Sequence, residues 1–360
     1  MGTGPRGPRC GGRVVTGTAR AAAIEDFLAT AGWGDAQRTP LAGDASARRY
    51  VRLVRQDGGR AILMDAPPAT AESVLPFLRI AAHLKALGLS APDVMAAEPA
   101  QGLVLLEDLG DGLYARVAAA DPGLEHEIYM AAVDVLLALA EAPLPEGIGH
   151  YDAATLGSLA GLSVEWYARH GTGAQAPDAA ARDAVVATVR ALSARHAGSP
   201  EVLALRDFHA ENLLWLPERK GVARVGLLDF QDAMACHPAY DLVSLLADAR
   251  RDVPVAVATA ARARYLAGSG ADPDAFALAE ATLSAQRNLR ILGVFARLCV
   301  RDGKPGYVAL LPRVWRHLEM ALAQPELAAL RELIHDCLPP PTEAVLERIR
   351  RQCAAAPTPQ

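Results

Sequence analysis

Just past the middle of the chain, two short apolar segments each lead into a polar cluster, and together they constrain the fold more than any other feature. The first, Glu201–Leu205, runs into ArgAspPheHisAlaGluAsn, and the second, residues 222–228, runs into AspPheGlnAsp. Short apolar runs bounded by polar residues are typical of strands. Asp207 and Asn212 are therefore predicted to lie five residues apart in a loop between strands, and Asp229 to end the following strand.

These three polar side chains suit phosphoryl transfer. The reaction needs a carboxylate that accepts a proton from the attacking hydroxyl, and Asp207 is the candidate base. It also needs oxygen ligands for Mg²⁺, and the amide oxygen of Asn212 and the carboxylate of Asp229 are the hard donors that Mg²⁺ prefers. Each residue taken alone is an ordinary turn former. Their joint spacing predicts an enzyme that uses ATP and Mg²⁺.

The rest of the chain predicts an α+β protein with a small β-rich N-terminal part and a larger helical part. Turn chemistry at AspGlyGly (57–59) predicts a hairpin over 47–65, and apolar periodicity predicts a helix over about 71–87. Further helices are predicted near 124–141, 179–196, 240–249, 254–267, 277–300 and 307–335. We therefore expect a disordered tail at 1–20, an N-lobe at 21–107, a C-lobe at 108–353 and a loose end at 354–360.

Composition excludes several classes of protein. The 36 Lys plus Arg and 41 Asp plus Glu give a net charge of −5, so a nucleic-acid partner is not expected. No apolar run approaches the roughly 20 residues that cross a bilayer, so no membrane partner is expected either. Five scattered cysteines without C-x-x-C spacing argue against a disulfide framework or a zinc site. We expect a cytoplasmic protein, and the sequence carries no signal for its oligomeric state.

The loop and strand described above resemble those of the aminoglycoside phosphotransferase and choline kinase family. The resemblance rests on AspPheHisAlaGluAsn (207–212), LeuLeuAspPheGlnAsp (227–232) and AlaTyrAspLeuValSerLeuLeu (239–246). It implies a bilobal protein-kinase-like fold with a small β-rich N-lobe and a mainly helical C-lobe. It also implies that Asp241 braces the catalytic loop by hydrogen bonds and that His209 supports catalysis by orienting this loop. An ordinary buried histidine explains His209 nearly as well.

Four further stretches resemble one branch of this family, the anomeric kinases for N-acetylmuramate and N-acetylglucosamine of peptidoglycan recycling. They are GlyAspAlaSerAlaArgArgTyr (43–50), LeuMetAspAlaPro (63–67), LeuLeuGluAspLeuGlyAsp (105–111) and AspAlaArgArgAspVal (248–253). The resemblance implies an ATP- and Mg²⁺-dependent kinase that phosphorylates the C1 hydroxyl of a small amino sugar. A kinase of another alcohol, of the aminoglycoside, choline or homoserine type, and a nucleotide-binding pseudokinase stay open as alternatives. The net charge of +2 over residues 241–360 disfavours a polycationic aminoglycoside.

Two segments of the N-terminal part are predicted to bind the nucleotide. The loop from Gly43 to Ser46 lies just before a strand, where backbone N–H groups and the Ser46 hydroxyl can approach phosphate oxygens. Its alternative is a plain turn. Glu107 to Leu109 follow an apolar strand, at the position where a hinge between lobes would present backbone N–H and C=O groups to adenine. The alternative there is an ordinary surface turn.

The lysine that protein kinases use to bind the ATP phosphates is missing. The matching strand reads AlaIleLeuMetAspAla, with Met64 near the expected position, and no lysine occurs before Lys85. In protein kinases this lysine pairs with a glutamate on the next helix. We predict that Arg49 takes its place, with Glu72 on the following helix as the partner. The alternative is that Mg²⁺ and backbone amides suffice.

Strand alternation is the basis for choosing Arg49. Val51 and Leu53 lie on the same face of the predicted strand as Arg49, and this apolar face is expected to look toward the core and the cleft. Arg48 and Arg52 lie on the opposite face and are expected to point outward.

Two consecutive arginines in the C-terminal part are candidate substrate ligands. Arg250 and Arg251 follow an apolar helical segment, and a guanidinium binds a carboxylate, such as the lactyl group of a muramic acid, with two parallel hydrogen bonds. A solvated helix end explains the pair equally well.

Overall fold

The computed structural model describes residues 17–41, 48–199 and 201–353. Contacts divide the chain into two compact units, which are described separately below. The first comprises the described residues up to Leu78 together with Pro92–Asp108, and the second comprises Arg79–Ala91 and the described residues from Leu109 onward. The predictions at Gly43 and Ser46, and those for the loose end, lie outside the described residues.

The first unit is built on a five-stranded antiparallel sheet. Its elements are α1 (Gly17–Thr30), β1 (Gln37–Pro40), β2 (Arg49–Val54), β3 (Arg60–Asp65), the start of α2 (Leu75–Ala86), β4 (Val94–Glu98) and β5 (Leu103–Glu107). The strand order is β1-β2-β3-β5-β4. The predicted hairpin is confirmed as β2 and β3, and helix α1 begins three residues earlier than the end of the predicted tail. The sequence did not predict β1, because its four residues are largely exposed and lack an apolar pattern.

The core of the first unit lies between α1 and one face of this sheet. Leu53 is fully buried there, which confirms the predicted inward direction of its strand face. The core residues are Leu28, Trp33, Ala36, Leu53, Ala61, Leu63, Leu103 and Leu105, and Val51 packs against them. Burying such a leucine side chain stabilises the fold by about 1.5–3 kcal/mol.

The second unit consists mainly of helices, with two antiparallel two-stranded ladders between them. Its elements are α3 (Tyr114–Ala120), α4 (Glu125–Glu141), α5 (Ala153–Ala160), α6 (Arg169–Thr172), α7 (Ala179–His196), β6 (Val202–Ala204), β7 (Leu213–Trp215), β8 (Val225–Leu227), β9 (Met234–Cys236), α8 (Ala239–Leu246), α9 (Val255–Ser269), α10 (Pro273–Val300), α11 (Leu311–Leu322), α12 (Ala328–Cys337) and α13 (Glu343–Arg351). Strand β6 pairs with β9, and β7 pairs with β8. The single helix predicted over 307–335 is wrong, because Pro325 begins a short 3₁₀ turn that separates α11 from α12.

Helix α10 runs through a large buried cluster of the second unit. Its apolar side chains recur three or four residues apart, which places them on one stripe of the helix. The stripe includes Ala285, Leu289, Leu292, Ala296 and Cys299, and it packs with residues of α5, α7, α11 and α13. In the described part of the chain no helix is long and apolar enough to cross a membrane.

The segment Arg79–Ala91 belongs to the second unit, whereas the sequence placed it in an N-lobe spanning 21–107. The reason is a set of contacts at Ser90, which forms a parallel bridge with Gly226. The Ser90 hydroxyl donates to the carbonyl of Ala223 (2.6 Å) and accepts a hydrogen bond from Arg219 (2.8 Å). These partners follow Ser90 by more than 100 residues, so local sequence patterns carry no signal for them.

Candidate active site

The predicted base lies in a loop that is fixed at both ends. Strand β6 leads into this loop and β7 leaves it, so each end is held by a ladder. Inside the loop, the backbone N–H of Asn212 donates to the carbonyl of His209 (2.8 Å), and the side-chain amide of Asn212 donates to the carbonyl of Asp207 (3.0 Å). The loop therefore closes on itself through its own polar groups.

Two residues of the site adopt a backbone conformation that is uncommon for side chains other than glycine. Arg206 has φ 71° and Asp229 has φ 57°. This left-handed region costs on the order of 1–3 kcal/mol and persists only where the surroundings hold it. One residue directly precedes the predicted base, and the other is a predicted metal ligand. The strain is therefore concentrated at the predicted site.

The carboxylate of Asp241, on α8, holds the start of the loop. Its two oxygens accept hydrogen bonds from the backbone N–H groups of Leu205 (2.5 Å) and Arg206 (2.9 Å). Asp241 is only 3% exposed. Burial, helped by the nearby Asp207, raises the pKa of Asp241 to about 7 against the two N–H donors and Arg287. The geometry is the one expected of a side chain that braces this loop.

A second set of hydrogen bonds fixes Arg206 from the other side. The hydroxyl of Ser244 donates to the carbonyl of Arg206 (3.0 Å) and accepts a hydrogen bond from Arg287 (2.9 Å). The guanidinium of Arg206 donates to the carbonyl of Asp232 (2.9 Å) and stacks over the ring of Tyr151. The strained residue before the base is thus held through its N–H, its C=O and its side chain.

Several cations surround Asp207. Burial alone would raise the pKa of Asp207, but attraction by Arg290, Arg206 and Arg287 outweighs burial and holds this pKa below its usual value. A carboxylate with a lowered pKa is ionised at neutral pH. Asp207 is therefore in the state that can accept a proton.

Asn212 and Asp229 flank the same ladder. Asn212 directly precedes β7, Asp229 lies two residues after β8, and the N–H of Leu228 donates to the carbonyl of Asn212 (3.0 Å), which extends the pairing. The side-chain nitrogen of Asn212 is bound inside the loop, so its amide oxygen is the atom left to bind a cation. Gln231 donates to one oxygen of Asp229 (2.8 Å).

This donor set fits Mg²⁺ bound together with nucleotide. Mg²⁺ usually takes one or two protein carboxylate or amide oxygens and completes its shell with phosphate oxygens and water. Among the described residues no cluster of three or more His, Cys, Asp or Glu side chains could hold a metal by itself. Asn212 and Asp229 would therefore act with phosphate oxygens rather than as a closed metal cage.

His209 is buried beside the base and contacts Arg250. Its Nε2 lies 3.5 Å from Nη1 of Arg250, and its Nδ1 is buried without a hydrogen-bond partner among the described residues. Burial lowers the pKa of His209, and Arg250 lowers it further, against the attraction of Asp248 and Asp207. A neutral imidazole at this position supplies no charge to the loop.

The two consecutive arginines have different surroundings. Arg251 forms a salt bridge with the buried carboxylate of Glu125 (2.6 Å) and donates to the hydroxyl of Tyr129 (2.6 Å). Arg250 instead extends toward His209 of the loop. Of these two arginines, only Arg250 has a described contact with the loop that carries the predicted base.

The surroundings of Arg52, Arg48 and Glu72 differ from the prediction. Arg52 does not point outward, because it binds both oxygens of Asp108 (2.9 and 3.1 Å), a carboxylate that is 2% exposed. Arg48 is buried as well. Glu72 does not lie on the following helix, because α2 begins at Leu75. A proline at the second position of α2 and the polar loop before it delay the helix start.

Arg49 is exposed on β2, and no described hydrogen bond or ion pair joins it to Glu72. Its cross-strand neighbour Asp65 is held by Arg20 of α1 (3.0 Å) and is therefore not its partner. At the other end of the sheet, the N–H of Glu107 donates to the carbonyl of Asp93 (2.9 Å). The N–H of Glu107 is therefore already paired within the sheet and is not available as a donor to adenine.

Sequence reasoning missed the cations that act on the base from α10. Arg287 and Arg290 are three residues apart on this helix, and Arg287 is buried among apolar residues. The attraction of Arg290 is the largest influence that lowers the pKa of Asp207. Two arginines three residues apart in a buried helical segment were the available signal, because buried charges require partners.

Known proteins resemble the chain in both sequence and fold. The phosphotransferase enzyme family matches residues 37–279. The N-acetylmuramate/N-acetylglucosamine kinase of Caulobacter vibrioides is 42% identical over 349 residues, which cover 87% of this chain and 95% of that protein. The protein of the same name from Pseudomonas aeruginosa is 35% identical over 324 residues, with coverage of 86% and 92%.

Two solved structures share the fold. A choline/ethanolamine kinase family protein from Mesorhizobium loti superposes with a TM-score of 0.57 at 16% identity, covering 92% of this chain and 99% of that one. A GDP complex of aminoglycoside 2'-phosphotransferase-IIIa gives a TM-score of 0.53 at 15% identity, with coverage of 84% and 98%. These matches confirm the α+β, protein-kinase-like fold expected from the sequence.

Proposed function

Because the chain belongs to the phosphotransferase enzyme family, we propose that it transfers the γ-phosphoryl group of ATP to the anomeric C1 hydroxyl of N-acetylmuramate and N-acetylglucosamine. The enzyme would act in the recycling of cell-wall sugars. One observation carries the choice of substrate: relatives named for both sugars match this chain across nearly their whole length.

Asp207 supplies the base in this proposal. Its carboxylate accepts the proton of the sugar hydroxyl as the oxygen attacks the γ-phosphorus atom. The transition state of phosphoryl transfer is loose, so orientation of the attacking hydroxyl matters more than the strength of the base. The lowered pKa of Asp207 suits this role, because it keeps the carboxylate ionised and ready to bind the hydroxyl. A hemiacetal hydroxyl is also more acidic than an ordinary alcohol, which reduces the demand on the base.

Asn212 and Asp229 would hold Mg²⁺, which when bound neutralises charge on the phosphate oxygens. Both residues are fixed by the ladder of β7 and β8, so their oxygens are placed before nucleotide binds. Such preorganisation avoids the cost of ordering the ligands during the reaction. Asp241 in turn would hold the backbone of the loop in its strained conformation through two hydrogen bonds.

Arg49 is our candidate for the phosphate-binding role of the missing lysine. Its exposed side chain has no described partner, whereas Arg52 is bound to the buried Asp108. A guanidinium binds phosphate oxygens in pairs, so a single arginine can replace the lysine. Gly43 and Ser46 would contribute from the preceding loop, and Leu109 would contact the adenine. In this arrangement Glu72 is not the partner of Arg49.

Product analysis tests the proposed function directly. The purified protein would be incubated with ATP and MgCl₂ and with each of N-acetylmuramate, N-acetylglucosamine, choline, homoserine and an aminoglycoside. We expect turnover with the two sugars, and phosphorus NMR should show a phosphate coupled to the anomeric proton. Excess EDTA should abolish turnover.

Three results would contradict the proposal in different ways. A phosphorus signal coupled to the C6 protons would show a 6-kinase and would remove the anomeric assignment. Turnover with choline, homoserine or the aminoglycoside but with neither sugar would replace the substrate class. Binding of Mg-ATP in a thermal-shift measurement without turnover of any alcohol would favour a pseudokinase.

A further inference from the structure

Two cysteines meet where α13 ends against α10. Cys299 is the next-to-last residue of α10 and is fully buried, and Cys353 follows the end of α13 by two residues. The thiol of Cys353 donates to the backbone carbonyl of Cys299 (3.0 Å), and the thiol of Cys299 lies 3.8 Å from the backbone carbonyl oxygen of Ile349 on α13. Each thiol therefore reaches the backbone of the segment that carries the other one.

Tertiary packing holds this pair together. The two cysteines are 54 residues apart in the chain, so no spacing motif predicts their contact. Cys299 and Ile349 belong to the same buried cluster, and Cys353 packs against that cluster. Next to Cys353, the side chain of Gln352 donates to the carbonyl of His170 (3.0 Å), which ties the end of α13 to α6. Cys353 is thus held beside Cys299 by apolar packing and by a hydrogen bond of its neighbour.

The other described cysteines have different surroundings. Cys236 is buried on β9, and Cys337 is partly exposed at the end of α12. Within the described ranges, neither of them hydrogen-bonds to another cysteine. All four described cysteines are free thiols. Of these four, only Cys299 and Cys353 are placed to react with each other.

We propose that Cys299 and Cys353 form a redox modification site, at which a low-molecular-weight disulfide oxidises the two thiols to a disulfide that links α10 to the end of α13. The partly exposed Cys353 reacts first. Its thiolate attacks one sulfur of the oxidant, the S–S bond of the oxidant breaks, and the departing thiolate takes up the proton lost by Cys353.

A second exchange completes the reaction. Cys299 loses its proton and attacks the sulfur of Cys353 in the mixed disulfide, and the second thiolate departs and takes up that proton. Two protein thiols are oxidised by two electrons in total, and one molecule of the small disulfide is reduced to two thiols.

The surroundings of Cys299 set the order and the rate of these steps. Burial, helped by the neighbouring thiol of Cys353, raises the pKa of the Cys299 thiol to about 12. Because the thiolate is the nucleophile, buried Cys299 reacts poorly with a dissolved oxidant and requires a sulfur that is held beside it. We therefore expect the disulfide to form on the order of minutes to hours.

Oxidation of the reduced protein by glutathione disulfide tests the proposal. After digestion with trypsin, mass spectrometry should find the peptide 298–301 joined to the peptide 352–360, and dithiothreitol should separate them. Because the cross-link joins positions 54 residues apart, the oxidised protein should melt roughly 5 °C higher than the reduced protein.

Single variants separate the two exchanges. Cys299→Ser should stop at the mixed disulfide, with one glutathione on Cys353, whereas Cys353→Ser should take up no glutathione at the buried Cys299. Neither variant should gain thermal stability on oxidation. Cys337→Ser is the matched control, because it removes a partly exposed cysteine of the same unit and should still form the cross-link and gain stability as the wild type does.

Three outcomes would overturn the proposal. In the first, glutathione stays on Cys353 of the wild type and the two peptides are never joined. In the second, Cys353 joins Cys10 or a cysteine of a second chain, which peptide mapping and non-reducing electrophoresis would reveal. In the third, oxidation raises the melting temperature of Cys353→Ser as much as that of the wild type, a comparison that holds even if Cys299→Ser fails to fold.

Discussion

The loop between β6 and β7 and the strand β2 both carry side chains predicted to handle phosphate, but the structure fixes them in different ways. In the loop, buried groups bind the backbone itself, as Asp241 and Ser244 do at Arg206. On β2 the backbone is held by neighbouring strands, and the partner of each arginine side chain depends on which groups pack beside it. Arg52 binds Asp108, while Arg49 is exposed.

This difference bears on what the sequence can indicate about each region. Within the loop, the side chain of Asn212 binds the carbonyl of Asp207, five residues away, so the spacing of these two residues indicates that contact. The partner of Arg52 lies 56 residues away, and strand alternation gives only a face, not a partner. A motif whose contacts are local is therefore read more securely than a single charge on a strand.

The largest expected effect is at Asp207. Asp207→Asn should lower kcat by a factor of about 10² to 10⁴, the usual contribution of general acid–base catalysis, while Mg-ATP binding is retained. Calorimetric binding and steady-state turnover measure the two quantities. Glu211→Gln removes an exposed charge from the same loop and should leave kcat near the wild-type value. Near-native turnover of Asp207→Asn would show that the assigned base is wrong.

The next effect sharpens the claim that buried side chains hold the loop. Asp241→Asn places an amide nitrogen opposite one of the two backbone N–H donors, so we expect a loss of about 2 kcal/mol in the free energy of unfolding and a fall in kcat of at least about tenfold. Urea unfolding and turnover report these changes. Asp232→Asn, an exposed aspartate nearby, is the control. If Asp241→Asn lowered the stability but left kcat unchanged, Asp241 would stabilise the fold without positioning the loop for catalysis.

The entry to α8 gives a pH-dependent test of the same region. His237 is buried, its Nδ1 accepts a hydrogen bond from the N–H of Ala239 (3.2 Å), and burial lowers the pKa of His237 from 6.5 to about 4. Between these values the unfolded chain takes up a proton that the folded chain does not, so stability falls as the pH falls through this window. At pH 5 the loss from this histidine is about 2 kcal/mol.

Replacement of His237 by Asn keeps an acceptor for Ala239 and removes the titrating group. The free energy of unfolding should then fall less between pH 7 and pH 5 than it does in the wild type, as measured by urea titrations at both pH values. His126→Asn, at an exposed position on α4, should keep the wild-type slope. If the free energy of unfolding fell equally between pH 7 and pH 5 in all three proteins, His237 would not be the source of the pH-dependent loss of stability.

The smallest expected effect concerns β2. Arg49→Ala should raise KM for ATP by roughly tenfold with little change in thermal stability, and Arg49→Lys should also lose activity because the fork is absent. Arg52→Ala should instead lower thermal stability with little change in KM for ATP. The variant removes one partner of the buried Asp108, whose other described arginine partner is Arg60. An unchanged KM in Arg49→Ala would remove Arg49 from the nucleotide site.

Much of the candidate site could be predicted from the sequence, and the parts that could not share a physical cause. The loop, the brace at Asp241 and the fold class follow from short motifs whose contacts lie within one loop and the next helix. Arg287 and Arg290 act on Asp207 from α10, about 80 residues further along the chain. Their role depends on which face of a long helix packs beside the loop.

By itself the sequence determined the main types of element and predicted a loop suited to phosphoryl transfer, because periodicity, turn residues and motif spacing are local properties. Only the tertiary structure decided where charges find their partners. It joined Ser90 to the ladder of β7 and β8, placed Arg52 on Asp108, and separated the surroundings of Arg250 from those of Arg251. A buried charge requires an opposite charge or a polar group as its partner. Which partner lies within reach depends on packing, and packing is a property of the whole fold.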